Sequence, residues 1–212
     1  PSGKALIIGS VLDLGNDEVY YFTYAVQPDW NHFDHPPLVG IFIRLFTLNL
    51  TFNQEVMIRL PAIIGAAINT WLIALCAKKI QNQQTGIWAA LIYNVSIYTS
   101  IISGTFIIPD SVQLVFWLGA LYLMIALVQN PEDKRGQNFL LLGICIGLAM
   151  MSKVHGIFLW FGYFGYCLFS QKEVFKNPSL YLGVLITCLI ILPGHGAQNL
   201  IDRRAFLRAR GE

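Results

Sequence analysis

Long apolar runs separated by short polar segments dominate this chain. A helix needs roughly 20 mostly apolar residues to cross a bilayer. Six runs reach or approach that length, and the fourth and fifth are short. The pattern predicts an all-α polytopic membrane protein with about six transmembrane helices. The runs are Val56–Ala77, Thr85–Ser103, Ser111–Val128, Asn138–Met151, Gly156–Ser170 and Ser179–Pro193.

The residues before these runs have a different pattern. Ala5–Leu12 is apolar over only about eight residues, which is too short to span a bilayer. Leu38–Phe52 is longer but contains Arg44. We therefore predict a remnant of a first transmembrane helix at 1–14, an outer loop with interfacial helices at 15–55, a transmembrane helical domain at 56–194 and a basic tail at 195–212.

The composition agrees with an integral membrane protein. Hydrophobic residues make up 55% of the chain and charged residues 12%, whereas soluble domains carry about 25% charged residues. The net charge is only +2, and no basic stripe is interleaved with aromatic residues. These features argue against nucleic acid as a partner and leave membrane lipids as the expected surroundings.

The positions of lysine and arginine predict the orientation in the membrane. Basic residues concentrate in cytoplasmic loops, and the basic loops fall on one side if each apolar run crosses once. Leu38–Phe52 must then lie along the outer surface as an interfacial helix that starts at Pro36 and Pro37. The basic loop residues are Lys78, Lys79, Lys134, Arg135, Lys172 and Lys176.

This orientation collects three polar clusters, distant in sequence, at the outer face. They are the stretch from Asp17 to His35, Asp110 at the start of one span, and Lys153 to His155 at the end of another. Residues 15–38 alone hold four of the chain's twelve acidic residues. Hydropathy does not require such a convergence, so the sequence predicts a functional site at this face.

The first cluster combines carboxylates with tyrosines. Asp17 and Glu18 are adjacent and would point about 100° apart on a helix, so we expect different roles for them. Asp17 shares one helical face with three rings, those of Tyr20, Tyr21 and Tyr24. Aromatic rings can stack on the apolar face of a sugar, and a carboxylate beside them can accept a hydroxyl proton. The combination therefore suits a sugar substrate. An interfacial aromatic belt with a helix-start acid is the alternative.

Asp34 and His35 form a second pair, just before the interfacial helix. They are candidate ligands for a divalent metal ion or a substrate phosphate, although two such residues are too few for a zinc site. The alternatives are a helix N-cap for Asp34 and a surface position for His35. Asp29 and His32 are interpreted as solvated loop.

The remaining candidates each have a structural alternative. Asp110 is a site acid or an N-cap. Lys153, with its neighbour His155, binds the phosphate of a lipid-linked substrate or snorkels to the membrane surface. Arg59 binds the same phosphate or pairs with one of the acids. Gly143 and Gly147 have the spacing of a helix-packing motif.

Five motifs in order carry a resemblance to a known family. They are DEVYY, FDHPPL, RLPA, PDSVQLVFW and MSKVHG, and together they extend from about Leu14 to Pro193. The sequence resembles the bacterial dolichyl-phosphate-mannose-protein mannosyltransferase-like family. It is also similar to the aminoarabinose transferases that modify lipid A. These are membrane glycosyltransferases of the GT-C fold.

The resemblance implies a function. It implies an inverting glycosyltransferase in the bacterial inner membrane that moves a sugar from a polyprenyl-phosphate donor to a lipid or protein acceptor on the periplasmic side. Asp17 is then the catalytic base, while Glu18 and Asp110 position the acceptor or a divalent metal ion. The expected substrate-binding residues are Tyr20, Tyr21, His35, Arg59, Lys153 and His155.

Two features depart from the family. The aminoarabinose transferases have an acid and then a lysine before the Pro-Pro pair, where this chain has Asp34 and His35. A lysine contact to phosphate is therefore absent there, which argues against that substrate. The segment 195–212 is rich in arginine and unlike the family, and we interpret it as a non-native tail.

Two other functions stay open. A transporter or channel domain needs ionisable residues near the middle of its spans. The mid-span polar candidates here are Asn69, Asn94 and Gln113, which are neutral. The second is a non-catalytic membrane module, which would keep its function when the acidic residues are substituted. The sequence has no Walker loop, dinucleotide-binding glycine pattern or nucleophile elbow, so soluble-nucleotide chemistry is unsupported.

Overall fold

The computed structural model describes residues 13–30, 32–129 and 136–192, and their regular structure is helical throughout. This confirms the all-α prediction. The predicted first-helix remnant lies almost wholly outside these residues, as does the basic tail. The helices are α1 (Asn16–Val26), α2 (Leu38–Phe46), α3 (Glu55–Ile80), α4 (Gln83–Val95), α5 (Pro109–Gln129), α6 (Gly136–Ser152), α7 (Phe158–Ser170) and α8 (Pro178–Leu192).

Four short helical segments lie between these helices in the described part of the chain. A π-helical segment, Tyr98–Ile102, and the turn Ser103–Thr105 follow α4. The 3-10 segments Val154–Ile157 and Lys172–Lys176 lie on either side of α7. Between α4 and α5, and on either side of α7, the chain therefore changes direction through short helical segments.

Helices α3 and α5 are each long and apolar enough to cross a membrane. Helix α4 and the segment after it form a third candidate if they count as one span, and they are bent by 74°. The apolar helices α6 and α8, and α7 with its preceding turn, are shorter than a full span. By length and composition, two or three of the six predicted spans are therefore supported.

The helix ends near the basic loops meet at one end of the bundle. The Gln129 side chain donates a hydrogen bond to the Lys79 carbonyl at 2.6 Å. The Gln171 side chain, next to Lys172, donates to the Val128 carbonyl at 2.8 Å. The ends of α3, α5 and α7 are thus joined, as the predicted alternation requires. The third basic loop, with Lys134 and Arg135, lies outside the described residues.

Helix α2 is shorter than the interfacial helix predicted for Leu38–Phe52. It ends at Phe46, and the three residues 48–50 have left-handed backbone conformations with φ of 48°, 57° and 66°. The Arg44 side chain donates to the Asn49 side-chain oxygen, and the Leu50 amide donates to the Thr47 hydroxyl. These side-chain bonds replace further helical turns, so the predicted C-terminal boundary is wrong.

Helix α2 packs closely on α1. A Cβ atom at Gly40 would lie 2.7 Å from the backbone of Tyr24, so only glycine permits this approach. Val39 and Ile43 are fully buried, whereas Ile41 and Leu45 are exposed on the other side. An apolar outward face is typical of a helix that lies at a membrane surface.

Helix α6 crosses α8 at glycines. A Cβ atom at Gly143 would lie 2.2 Å from the Gly183 carbonyl oxygen, and one at Gly147 would meet Ile190 at 2.8 Å. The Thr187 hydroxyl bonds to the Gly143 carbonyl at 2.8 Å and accepts from the Trp160 ring at 3.1 Å. The predicted packing role of Gly143 and Gly147 is confirmed.

We expect Gly143→Ala to destabilise the protein by about 1–3 kcal/mol, the usual range for an overpacked core. The added methyl meets a backbone carbonyl that is not free to rotate away. The measurement is the free energy of unfolding in detergent. Gly165→Ala is the matched control, because nothing lies within 4 Å of its Cβ position. Equal effects of the two substitutions would contradict the packing role.

Candidate functional site

A buried ion pair between Glu18 and Arg59 lies at the base of the site. Both side chains are almost completely shielded from solvent. The Arg59 Nε donates to Glu18 Oε1 at 2.8 Å, and Nη2 donates to Oε2 at 2.5 Å. The backbone amides of Gly15 and Ile107 donate to the same carboxylate at 3.0 and 3.1 Å. Glu18 therefore accepts four hydrogen bonds.

These bonds join three parts of the chain that are distant in sequence. Glu18 belongs to the first turn of α1, Arg59 to α3, and Ile107 to the turn before α5. Arg59 also donates to the Asp13 carbonyl at 3.0 Å, and its guanidinium lies over the Phe106 ring. Of the two roles predicted for Arg59, the geometry supports pairing with an acid. Glu18 is engaged by the protein itself rather than presented to a substrate.

Asp17 has the opposite environment. It is exposed in the first turn of α1, beside the buried Glu18. Burial, and after it the charges of Asp17, Asp34 and Asp110, raise the pKa of Tyr21 to about 12. All three carboxylates therefore lie near this ring. The Tyr21 hydroxyl stays protonated at neutral pH and is a hydrogen-bond donor.

The predicted tyrosine face forms one cluster of rings. The centroids of Tyr20, Tyr21 and Tyr24 are 5.3–5.5 Å apart in edge-to-face arrangements. The Tyr20 hydroxyl donates to Asp34 at 2.9 Å, and the Tyr24 hydroxyl donates to that of Tyr20 at 3.3 Å. Tyr20 is 39% exposed, whereas Tyr24 is buried. Only the outer rings of the cluster can contact a sugar.

The loop after α1 packs on this cluster. His32 stacks on Tyr24 with ring centroids 3.6 Å apart and is half-buried, so its interpretation as solvated loop is wrong. Asp29 is exposed and accepts from the Trp30 amide, as a loop residue would. Asp34 does not cap α2, which begins at Leu38.

A second ion pair joins α5 to the end of α6. The Lys153 ammonium donates to the two carboxylate oxygens of Asp110 at 3.0 and 3.1 Å. Gln113, one turn after Asp110, donates to the Lys153 carbonyl at 2.9 Å. The Ser152 hydroxyl donates to the Pro109 carbonyl at 2.7 Å. We name these four contacts the α5–α6 brace.

Sequence reasoning missed Gln113 and Ser152 in this brace. Gln113 follows Asp110 by three residues and therefore lies on the same face of α5. That spacing was a usable signal, because a buried amide in an apolar helix needs a hydrogen-bond partner. Ser152, directly before Lys153, carried no comparable signal.

His35 lies where the clusters meet. Burial lowers its pKa, the charges of Lys153 and His155 act in the same direction, and those of Asp34 and Asp110 oppose them. Its ring centroid is 5.9 Å from that of Tyr21. The imidazole is therefore neutral at pH 7. The structure brings the three predicted clusters together at one end of the bundle.

The same residues do not fit a resident divalent metal ion. Among residues 13–30, 32–129 and 136–192, no three His, Cys, Asp or Glu side chains are grouped so that they could hold one. Asp34 accepts a hydrogen bond from Tyr20, and Asp110 is occupied by Lys153. The predicted ligand pair, Asp34 and His35, has no third ligand among the described side chains.

Comparison with known proteins identifies one family. The family model described as "Dolichyl-phosphate-mannose-protein mannosyltransferase" matches residues 34–195, which is more than half of the chain. The match includes Asp34, His35, Arg59, Asp110 and Lys153. Neither the curated proteins nor the solved structures gave a significant match.

We expect Glu18→Gln to destabilise the protein by about 3 kcal/mol, because it removes the carboxylate that balances a buried guanidinium. This is the lower end of the usual range, since Glu55 still lies 3.9 Å from Arg59. The measurement is the free energy of unfolding in detergent. The control is Asp17→Asn, the same chemical change at the exposed neighbour, with an expected effect below about 0.5 kcal/mol. Equal effects would contradict the anchoring role.

Proposed function

This chain belongs to the dolichyl-phosphate-mannose-protein mannosyltransferase family, and we propose that it transfers a sugar from a polyprenyl-phosphate donor to a lipid or protein acceptor. The family indicates a membrane glycosyltransferase of the GT-C type. The observation that carries the finer proposal is the meeting of Asp17, Asp110 and Lys153 at one end of an apolar helical bundle. The two carboxylates come from α1 and α5, and the cation comes from the end of α6.

Asp17 is the proposed general base. It is exposed, while its neighbour Glu18 is held in the scaffold. In a single displacement, the acceptor oxygen bonds to the anomeric carbon and its proton passes to the Asp17 carboxylate. The bond between that carbon and the phosphate oxygen breaks, and polyprenyl phosphate leaves with the electron pair. Attack opposite the leaving group inverts the sugar carbon.

Lys153 is the proposed ligand of the donor phosphate. An ammonium has three N–H donors. The two carboxylate oxygens of Asp110 accept from the Lys153 ammonium, which leaves one N–H. A phosphate oxygen can take the third donor, which stabilises the charge that grows on the leaving group. His155 is exposed beside Lys153, and His35 lies close to both, so these imidazoles complete the phosphate end of the site.

The apolar scaffold suits a donor whose tail stays in the bilayer. We propose that all six apolar helical segments cross the membrane, with the basic loop ends in the cytoplasm and the site on the outer side. That assignment follows the distribution of lysine and arginine. For a bacterium, the membrane is the inner one and the site is periplasmic.

Transport is the rival function, and the geometry does not favour it. Arg59 and Glu18 form a buried ion pair at the site end of α3, far from the middle of this helix. Near the middle of α3, Asn69 is buried, and Thr70 accepts a hydrogen bond from Asn94. These side chains are neutral, whereas ion pathways use ionisable groups at this depth.

We expect Asp17→Asn in the intact protein to lower the turnover number by at least about 100-fold, the usual contribution of a general base. The assay is sugar transfer from a polyprenyl-phosphate sugar in reconstituted vesicles. Asp29→Asn is the matched control, because it makes the same change in the same outer loop at an exposed residue. Unchanged turnover in Asp17→Asn would remove Asp17 from the base role and favour a non-catalytic module.

We expect Lys153→Gln to raise the KM for the donor about ten- to hundredfold, which corresponds to the ~1.5–3 kcal/mol of a hydrogen bond to a charged group. Lys153→Arg should recover part of the loss, because it keeps the positive charge. Lys172→Gln, at the opposite end of the bundle, is the control. Stabilisation of the leaving group predicts that turnover falls as well. An unchanged KM for the donor together with an unchanged turnover number would remove Lys153 from phosphate binding and leave it only its structural role in the α5–α6 brace.

A further inference from the structure

Helices α3 and α4 leave a groove on the outside of the bundle with a volume of about 490 Å³. Its lining is mainly apolar, and polar side chains occur at its two ends. Lys78 and Gln83 lie at one end, and Thr70 and Asn94 lie at the other. The groove shares no residue with the site formed by Asp17, Asp110 and Lys153.

Close helix contacts fix the floor of this groove. A Cβ atom at Gly86 would lie 2.6 Å from the Ala74 carbonyl oxygen, so α4 touches α3 backbone to backbone there. Toward the other end, Asn94 donates to the Thr70 hydroxyl at 3.1 Å. Two contacts at separated points hold the helices in register, and the groove between them is a preformed feature of the fold.

The two ends of the groove differ in their need for a polar ligand. The Thr70 hydroxyl donates to the Ala66 carbonyl and accepts from Asn94, whose amide also donates to the Ala90 carbonyl. The polar groups at this end are therefore satisfied within the protein. Lys78 is exposed, and it is the one charged side chain of the described lining. The groove is positive at one end and apolar along its length.

The dimensions match a lipid tail below a headgroup. Thr70 and Lys78 are eight residues apart on α3, which corresponds to about 12 Å along the helix axis. The Lys78 end is also where Lys79 and Gln129 meet, at the basic end of the bundle. Basic pockets between helices at the cytoplasmic side are suited to anionic headgroups.

We propose that this groove binds one anionic phospholipid, with its phosphate at Lys78 and Gln83 and one acyl chain along α3 and α4. The basic side chain selects the headgroup, and the apolar floor holds the tail. This site is separate from the proposed glycosyl transfer, and it does not depend on which sugar or acceptor the protein uses.

The test is native mass spectrometry of the intact protein, delipidated and then given equal amounts of phosphatidylglycerol and phosphatidylcholine. We expect one retained lipid with about fivefold preference for phosphatidylglycerol, as one lysine near a headgroup provides. Lys78→Gln should abolish the preference. Lys172→Gln should keep it, because this exposed lysine lies at the same end of the bundle but outside the groove.

A second variant tests whether an acyl chain lies along α3 and α4 in the groove. Ala90→Phe places a ring in the groove while Lys78 remains, and we expect it to lose the retained lipid of either class. The proposal is overturned if the unmodified protein retains both lipids equally or neither, if Lys78→Gln keeps the preference, or if Ala90→Phe still retains the lipid. Retention of neither lipid would indicate that protein rather than lipid covers the groove.

Discussion

The buried pair of Glu18 and Arg59 is the constraint on which the rest of the site depends. A guanidinium and a carboxylate removed from water require partners for nearly all their donors and acceptors. Here the carboxylate satisfies two backbone amides as well as the arginine. The N-terminus of α1, the first turns of α3 and the turn before α5 are thereby held at one point. Asp17 and Asp110 each lie within three residues of a group in this network.

The α5–α6 brace extends that constraint to a fourth helix. Ile107 is bound by Glu18, and two residues later Pro109 accepts the bond from Ser152. Gln113 then fixes the backbone of Lys153, while Asp110 fixes its ammonium. Residues of α5 therefore fix the position of Lys153, the cation that follows α6. Sites assembled on braced helices hold their geometry better than sites on loops.

Much of this arrangement could be predicted from the sequence, because hydropathy indicates which segments are helices. The assignment of the basic loops to one side of the membrane also predicted that Asp17, Asp110 and Lys153 share the other side. Adjacent acids gave no indication that Glu18 would be buried, since burial depends on Arg59, 41 positions away. The early end of α2 was likewise hidden, because it depends on side-chain bonds to a left-handed turn.

Of the two adjacent acids, Glu18 stabilises the fold and Asp17 is the proposed base. The third acid, Asp110, bears on how the proposed donor would bind. A donor phosphate on the third N–H of Lys153 would share this ammonium with Asp110. A phosphate that takes part of that charge leaves Asp110 with weaker compensation, close to Tyr21 and His35, on which its charge already acts. The carboxylate then gains acceptor strength for a hydroxyl donor, such as the Tyr21 phenol or the acceptor itself. In the proposed reaction, donor binding therefore prepares the acceptor side of the site, while Glu18 and Arg59 keep Asp17 in place throughout.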